Sequence, residues 1–242
     1  MFGMTSGRIT HVLFDFFGTL VDYVPSGPSA APDCVALLRS FGADAIDEAG
    51  FSATWDANYA DFEAQARATC REFSMQELAR SYLTSTLGRD PSTAECRALG
   101  SAYVTEWNAG VAYPPATPDV LAALADRFTM AVVSNTYEPD LVPRHIEAMG
   151  IEARFATVVT SVEFGWRKPH PAIYAEALGR LGIGSEQAVF VGDTYDADFA
   201  GPQAHGILSF LIDPTERHDV PSGQRLASLA DLPGRLAGMP PA

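Results

Sequence analysis

The feature that most constrains the fold is the alternation of short apolar segments with helical patterns after Tyr113. The apolar segments are rich in β-branched residues and are bounded by glycine or polar residues, as is typical of buried strands. Repeated strand–helix units predict a parallel sheet covered by helices on both faces. The first helix of this region is predicted to follow Thr117 as its N-cap, with Pro118 at the first position. The predicted strands are Thr129–Val133, Ala156–Thr160, Ala188–Val191 and Ile207–Ile212.

One further strand, Ile9–Phe14, precedes a long segment of a different character. Residues 24–110 show helical patterns with almost no strand signal, and Ser74 with Glu77 forms a predicted capping box. The sequence therefore predicts an α/β core, a Rossmann-like doubly wound parallel sheet, built from residues 1–21 and 112–242. An all-helical domain, residues 22–111, is inserted into it. Its predicted helices are Pro32–Phe41, Ala45–Phe73, Met75–Leu87 and Thr93–Asn108.

Charge and hydropathy limit the partners of the chain. The formal net charge of −14 argues against nucleic acid and anionic membranes, because both favour basic surfaces. A small anionic substrate stays compatible with this charge, since a few local cations or a metal ion decide its binding. No apolar run reaches the roughly 18 residues of a membrane span. With no address visible in the sequence, we expect a cytoplasmic protein, and we leave its oligomeric state open.

Polar residues whose side chains could take part in catalysis follow several of the predicted strands. Asp15 follows the strand Ile9–Phe14, Ser134 and Asn135 follow the next strand, and Asp193 follows Ala188–Val191. Lys168 lies after Ala156–Thr160, just before a helix. Ligands of open parallel sheets bind at the carboxyl ends of the strands. We therefore expect a carboxylate, a hydroxyl, an ammonium and a second carboxylate to meet at one edge.

These residues lie in four segments whose order and spacing resemble the motifs of the haloacid dehalogenase-like hydrolase superfamily. The likeness covers essentially the whole predicted core, and the helical insertion resembles the cap domain that selects substrates in that superfamily. The four segments are Val12–Leu20, Val132–Asn135, Gly165–Pro171 and Val191–Asp198. Such a resemblance implies a hydrolase that works through a covalent intermediate.

The resemblance also implies a role for each matching residue. Asp15 would be the nucleophile, Ser134 would hydrogen-bond the transferring group, and Lys168 would neutralise the developing charge. Substrate contacts would come from the loop of the first motif and the end of the second. The residues implied in those contacts are Phe17, Gly18, Thr19 and Asn135.

A metal site is implied at the same edge of the sheet. Asp193 and Asp198 would hold Mg²⁺, directly or through water, together with Asp15 and the carbonyl of Phe17. A set of oxygen ligands completed by water suits Mg²⁺. The implied substrate is a small phosphorylated metabolite, and the implied activity is that of a Mg²⁺-dependent phosphatase.

Phe17 departs from the pattern of the phosphatases in this superfamily. They carry an aspartate two residues after the nucleophile as the general acid, and phenylalanine cannot transfer a proton. Loss of a positioned acid costs about 10²–10⁴ in rate. An aromatic residue here resembles instead the metal-independent 2-haloacid dehalogenases.

Asp193, in contrast, favours the phosphatase interpretation. Without a cation it would lie close to Asp15 and to an anionic haloacid, and two like charges about 4 Å apart repel by about 4 kcal/mol at an effective dielectric of 20. The segment Val24–Pro28 also lacks the arginine that dehalogenases use. The sequence thus favours the phosphatase. A metal-independent 2-haloacid dehalogenase and a catalytically weak binding protein of the same fold are the alternatives.

Overall fold

The computed structural model describes residues 9–23 and 31–238, which form two compact units. One unit comprises the residues up to Asp22 and from Tyr113 onward, and we call it the α/β unit. The other, the helical unit, is Tyr23–Ala112. Residues 1–8 and 24–30, which begin the predicted core and the predicted insertion, lie outside the described residues.

Six parallel strands form the sheet of the α/β unit, in the order β5-β4-β1-β6-β7-β8. The chain adds strands on one side of β1 and then on the other. This arrangement confirms the predicted doubly wound parallel sheet. The remaining two strands, β2 and β3, pair in a separate sheet. The strands are β1 His11–Phe14, β2 Asp22–Tyr23, β3 Val111–Ala112, β4 Thr129–Ser134, β5 Phe155–Thr160, β6 Ala188–Gly192, β7 Leu208–Ile212 and β8 Arg225–Leu226.

Four helices build the helical unit and six helices accompany the sheet in the parts of the chain that the structure describes. A π-helix, Tyr195–Ala200, directly follows the end of β6 and leads into α9. The α-helices are α1 Pro32–Ser40, α2 Glu48–Thr69, α3 Met75–Leu87, α4 Thr93–Asn108, α5 Thr117–Ala125, α6 Leu141–Ala148, α7 Ser161–Phe164, α8 Pro171–Leu181, α9 Gly201–Ala204 and α10 Leu232–Ala237. Within 9–23 and 31–238, no helix is both long and apolar enough to cross a membrane.

The central strands are buried because their residues are almost entirely apolar. In β1, Val12, Leu13 and Phe14 have no exposed surface, and β6 is buried along its whole length. Parallel strands covered on both faces require such continuous apolar runs. The burial leaves the polar residues of this unit concentrated at the strand ends.

The helical unit holds an aromatic and aliphatic core. Trp55 packs against Phe51, Tyr82 and Tyr103, with ring centroids 4.5–5.4 Å apart. Helix α3 carries the predicted capping box, in which Ser74 and Glu77 each bond the other's backbone. Because each capping side chain satisfies a backbone donor, the box fixes where the helix begins.

The sequence-based boundaries were wrong at the second helix and at Thr117. The second helix spans Glu48–Thr69 rather than Ala45–Phe73, because Asp47 accepts a bond from the Gly50 amide as its N-cap and Cys70 adopts a left-handed φ of 56°. Thr117 is not an N-cap but the first residue of α5. Its hydroxyl donates instead to the carbonyl of Leu20, at 3.0 Å. That bond joins two segments far apart in sequence, so no local pattern indicates it.

Candidate active site

The carboxyl ends of the central strands bring the sequence-predicted residues together in the α/β unit. Phe14, the last residue of β1, lies in register with Val132 of β4 and Val191 of β6. Asp15 therefore leaves the sheet beside Ser134 and Asp193, and its amide donates to the carbonyl of Val191 at 2.9 Å. Lys168 and Asp198 join them from the segments that follow β5 and β6.

A buried ion-pair triad is the centre of this cluster. The Lys168 ammonium donates to Asp15 Oδ1 and to Asp198 Oδ1, each at 2.7 Å. Burial by itself lowers the pKa of Lys168, but the charges of Asp15 and Asp198 outweigh it and hold that pKa above its usual range. The charged form of Lys168 is therefore favoured, and its ammonium orients the carboxylate of Asp15.

Asp193 adds a third carboxylate. Ligand oxygens of Asp15, Asp193 and Asp198 lie within 4.8 Å of one another. Burial, and then the charge of Asp15, raise the pKa of Asp193 to about 6. Burial likewise raises the pKa of Asp198, against the lowering effect of Lys168. Three carboxylates facing one ammonium leave an excess of negative charge, and a divalent cation is the charge that would balance it.

Two glycines make room for these carboxylates. Gly18 has a φ of +83°, a left-handed conformation that glycine adopts without strain. A Cβ at Gly18 would overlap the Asp193 carboxylate, and one at Gly192 would overlap the side chain of Asp198. The backbone is thus shaped to bring acidic side chains into close approach. Since the donors are oxygens, the residues fit a hard cation such as Mg²⁺.

The other predicted residues surround the triad. Thr19, 5% exposed, donates a long hydrogen bond of 3.4 Å to Asp15 Oδ2. Ser134 is 1% exposed at the end of β4. The Asn135 amide holds the backbone of Lys168, accepting from its N–H at 2.8 Å and donating to its carbonyl at 3.1 Å. In this structure Asn135 therefore orients Lys168.

Phe17 lies beside a polar pair that sequence reasoning missed. Its half-buried ring meets the ring of His145 edge to face, with centroids 5.7 Å apart. His145 Nδ1 in turn shares a 2.9 Å hydrogen bond with the hydroxyl of Tyr113. Burial, and then the charge of Arg144, lower the pKa of His145. A lone histidine on a helix gave no signal of this contact.

No pattern in the sequence indicated the π-helix Tyr195–Ala200. Asp198 lies on it, 1% exposed, and its Oδ2 accepts the Thr194 amide at 3.0 Å. Single π-helical turns are rare in proteins, and those that do occur are often found at functional sites. Here the turn places Asp198 against Lys168.

Comparisons with known proteins agree with this geometry. Residues 9–206 match the family model of the haloacid dehalogenase-like hydrolases. The chain is 26% identical over 210 residues to the ribulose-1,5-bisphosphate 5-phosphatase of Halopiger xanaduensis, covering 87% of each protein. It is 32% identical over 168 residues to the glyceraldehyde 3-phosphate phosphatase of Methanopyrus kandleri, covering 64% of this chain and 71% of that protein.

A solved structure shares the fold. The crystal structure of a 2-haloacid dehalogenase from Pseudomonas syringae superimposes with a TM-score of 0.69 at 24% identity, covering 95% of this chain and 99% of that chain. The chain belongs to the haloacid dehalogenase-like hydrolases, which confirms the resemblance drawn from the four motifs. It is a hydrolase of that superfamily.

Proposed function

We propose that the protein is a Mg²⁺-dependent phosphatase that acts on a small phosphorylated metabolite through an aspartyl-phosphate on Asp15. The observation that carries the proposal is the group of three converging carboxylates, of which Lys168 contacts two. Without Asp193, the positive charge of Lys168 would come closer to balancing the negative charge of the cluster. With Asp193, the cluster carries excess negative charge that a divalent cation can balance, and such a cation can also bind a phosphate.

Attack on phosphorus is assigned to Asp15. Lys168 holds Oδ1, so Oδ2 forms the new bond to phosphorus while the bond from phosphorus to the leaving oxygen breaks. The ammonium also stabilises negative charge that develops on the transferring group. Ser134 and the loop of Phe17, Gly18 and Thr19 would contact the phosphoryl oxygens. Water then attacks the phosphorus of the intermediate and releases Asp15.

A bound Mg²⁺ would neutralise the phosphate and the acidic cluster together. Asp15, Asp193, Asp198 and the carbonyl of Phe17 would hold it. The raised pKa of Asp193 fits this role, because burial beside Asp15 makes its ionised form unfavourable until a cation compensates it.

Substrate selection is assigned to the helical unit, Tyr23–Ala112, acting as a cap domain. Relatives whose names describe phosphatases of phosphorylated sugars and trioses support a phosphorylated metabolite as substrate. The alternative is a metal-independent 2-haloacid dehalogenase, which the aromatic side chain of Phe17 favours. The proximity of Asp193 to Asp15 opposes it, because an unbalanced carboxylate would repel an anionic haloacid.

The test is a panel of phosphate esters and 2-chloropropionate, each assayed with Mg²⁺ and with excess EDTA. We expect phosphate release that requires Mg²⁺ and is lost in Asp198→Asn. The matched control is Asp196→Asn, an exposed aspartate on the same turn, which should keep activity. Halide release in EDTA would establish the dehalogenase instead. Mg²⁺ binding with negligible turnover of every compound would favour the binding protein.

A further inference from the structure

A loop outside the four motifs covers the turn that carries Asp198. Strands β6 and β7 are neighbours, with Gly192 in register with Leu211. The segments that leave these two strands therefore emerge side by side. One is the segment 193–200, which includes the π-helix, and the other is residues 213–220, which we call the clamp loop.

Asp213 fixes the shape of the clamp loop. It is 1% exposed, and its two oxygens accept the backbone amides of Arg217 at 3.0 Å and His218 at 3.1 Å. Glu216, which lies between Asp213 and Arg217 in the chain, has a φ of 54°, a conformation that a residue with a side chain rarely adopts. A loop held in this way has its conformation imposed by the buried carboxylate.

Arg225 fixes the loop from the neighbouring strand. Its Nη2 donates to the carbonyl of His218 at 2.7 Å, and its Nε lies 3.8 Å from Asp213 Oδ2. His218 is thus held at both its amide, by Asp213, and its carbonyl, by Arg225.

The side chains of the clamp loop pack on the π-helix. The His218 ring stacks on Tyr195 with centroids 4.7 Å apart and planes inclined by 12°. Val220 joins Phe199 and Leu211 in one apolar cluster. Tyr195 and Phe199 both belong to the π-helix, so the loop supports the turn at its beginning and near its end.

We propose that Asp213 and His218 are positioning residues for the carboxylate of Asp198. A π-helical turn has weaker intrinsic preference than an α-helix, so its geometry depends on what packs against it. Residues that orient the ligands of a metal, without contacting the metal themselves, typically contribute 10–100-fold to the affinity for that metal. The inference rests on the proposed Mg²⁺ site.

The experiment measures binding of Mg²⁺ alone by titration calorimetry, and amide exchange of residues 194–200 without Mg²⁺. His218→Ala removes the stack, and Asp213→Asn leaves one acceptor for the two backbone amides of Arg217 and His218. For both we expect Mg²⁺ affinity to fall about tenfold and exchange to accelerate. His218→Phe, which keeps an aromatic ring, should restore both values.

Asp231→Ala is the matched control. Asp231 also accepts two backbone amides, those of Ala227 at 2.8 Å and Ser228 at 3.1 Å, in a different loop of the same unit. It should lower stability but leave Mg²⁺ affinity and the exchange of 194–200 unchanged. Wild-type values in His218→Ala and Asp213→Asn, or equal losses in Asp231→Ala, would overturn the inference. A wild-type protein that binds no Mg²⁺ would contradict the proposed function, and the exchange rates alone would then decide the inference.

Discussion

The two units differ in what they bury. Every polar or charged residue that is buried within 9–23 and 31–238 belongs to the α/β unit, including Asp15, Ser134, Lys168, Asp198 and Asp213. The fully buried side chains of the helical unit are aliphatic, aromatic or cysteine, such as Phe51, Trp55 and Leu83. Both units have well-formed secondary structure, so the difference does not reflect how well each is folded.

The difference shows where the fold accepts an energetic cost. A buried charge is unfavourable unless it is paired and hydrogen-bonded, and an apolar replacement of a buried ion pair is often more stable. The α/β unit nevertheless gathers three carboxylates around Lys168. The helical unit bears no such cost among its described residues. We therefore expect the catalytic residues to lie in the α/β unit, and we expect the helical unit to contribute a packed surface rather than catalytic groups.

The largest expected effect is the loss of Asp15. Asp15→Asn should lower turnover about 10⁴-fold or more, because an amide is a poor nucleophile and the residual rate comes from binding alone. Steady-state kinetics and thermal unfolding, measured together, separate this from loss of folding. As a control in the helical unit, Asp44→Asn changes an exposed carboxylate and should leave turnover near wild type. An equal loss in Asp44→Asn would break the contrast between the units.

Phe17 provides the second prediction. Because no acid stands at this position, aryl or acyl phosphates should turn over about 10²-fold or more faster than alkyl phosphates, whose leaving group needs a proton. Phe17→Asp should narrow that ratio by raising the alkyl rate, and its stability must be checked because an aromatic side chain is lost.

Equal rates on aryl and alkyl esters would contradict this account. They would mean that another residue donates the proton, and the carboxylates of Asp56, Asp61 and Glu63 in the helical unit would be the first to test by substitution with amides. A donor among them would give the helical unit a chemical role and overturn the contrast.

A cavity in the helical unit should affect stability without touching the metal site. Leu83 has no exposed surface, and Leu83→Ala should lower the free energy of unfolding by about 2–5 kcal/mol. Denaturant unfolding measures the loss, and Thr84→Ala, at an exposed position next to it, is the control. Mg²⁺ affinity measured by calorimetry should stay at the wild-type value. A weaker affinity in Leu83→Ala would show that the units are coupled.

The smallest expected effect is a pH-dependent response to Mg²⁺. The pKa of Asp193 in the folded protein, about 6, lies above its ordinary value of 3.8. For an acid this sign means that ionised Asp193 destabilises the fold at neutral pH, and that the penalty declines as pH falls through about 6 toward 3.8.

Mg²⁺ needs the ionised form, so its stabilisation should be greatest above pH 7 and shrink below pH 6. Mg²⁺ at one hundred times its Kd should stabilise by about 2.7 kcal/mol. Thermal unfolding with and without Mg²⁺ at pH 7.5 and 5.5 measures the change. Asp193→Asn should remove most of the response at both pH values, whereas a response independent of pH in the wild type would contradict the assignment of Asp193.

The sequence predicted much of the fold because periodicity and capping are local. Helices α3 and α4 have the bounds that their patterns predict, and the capping box of Ser74 and Glu77 is present. It failed at α2 and Thr117, where a left-handed Cys70 and a bond to Leu20 decide the ends. The strand ends also gave the candidate residues, since a polar residue after a buried apolar run is visible without a structure.

The sequence by itself determined the class of fold, the family and which polar residues follow the strands. Only the tertiary structure decided which of them meet. Lys168 contacts Asp15 across 153 positions of the chain, the Asn135 amide holds the backbone of Lys168, and His218 stacks on Tyr195. Those contacts follow from the strand order β5-β4-β1-β6-β7-β8, which no local pattern encodes. They depend on side chains that become neighbours only after the sheet has formed.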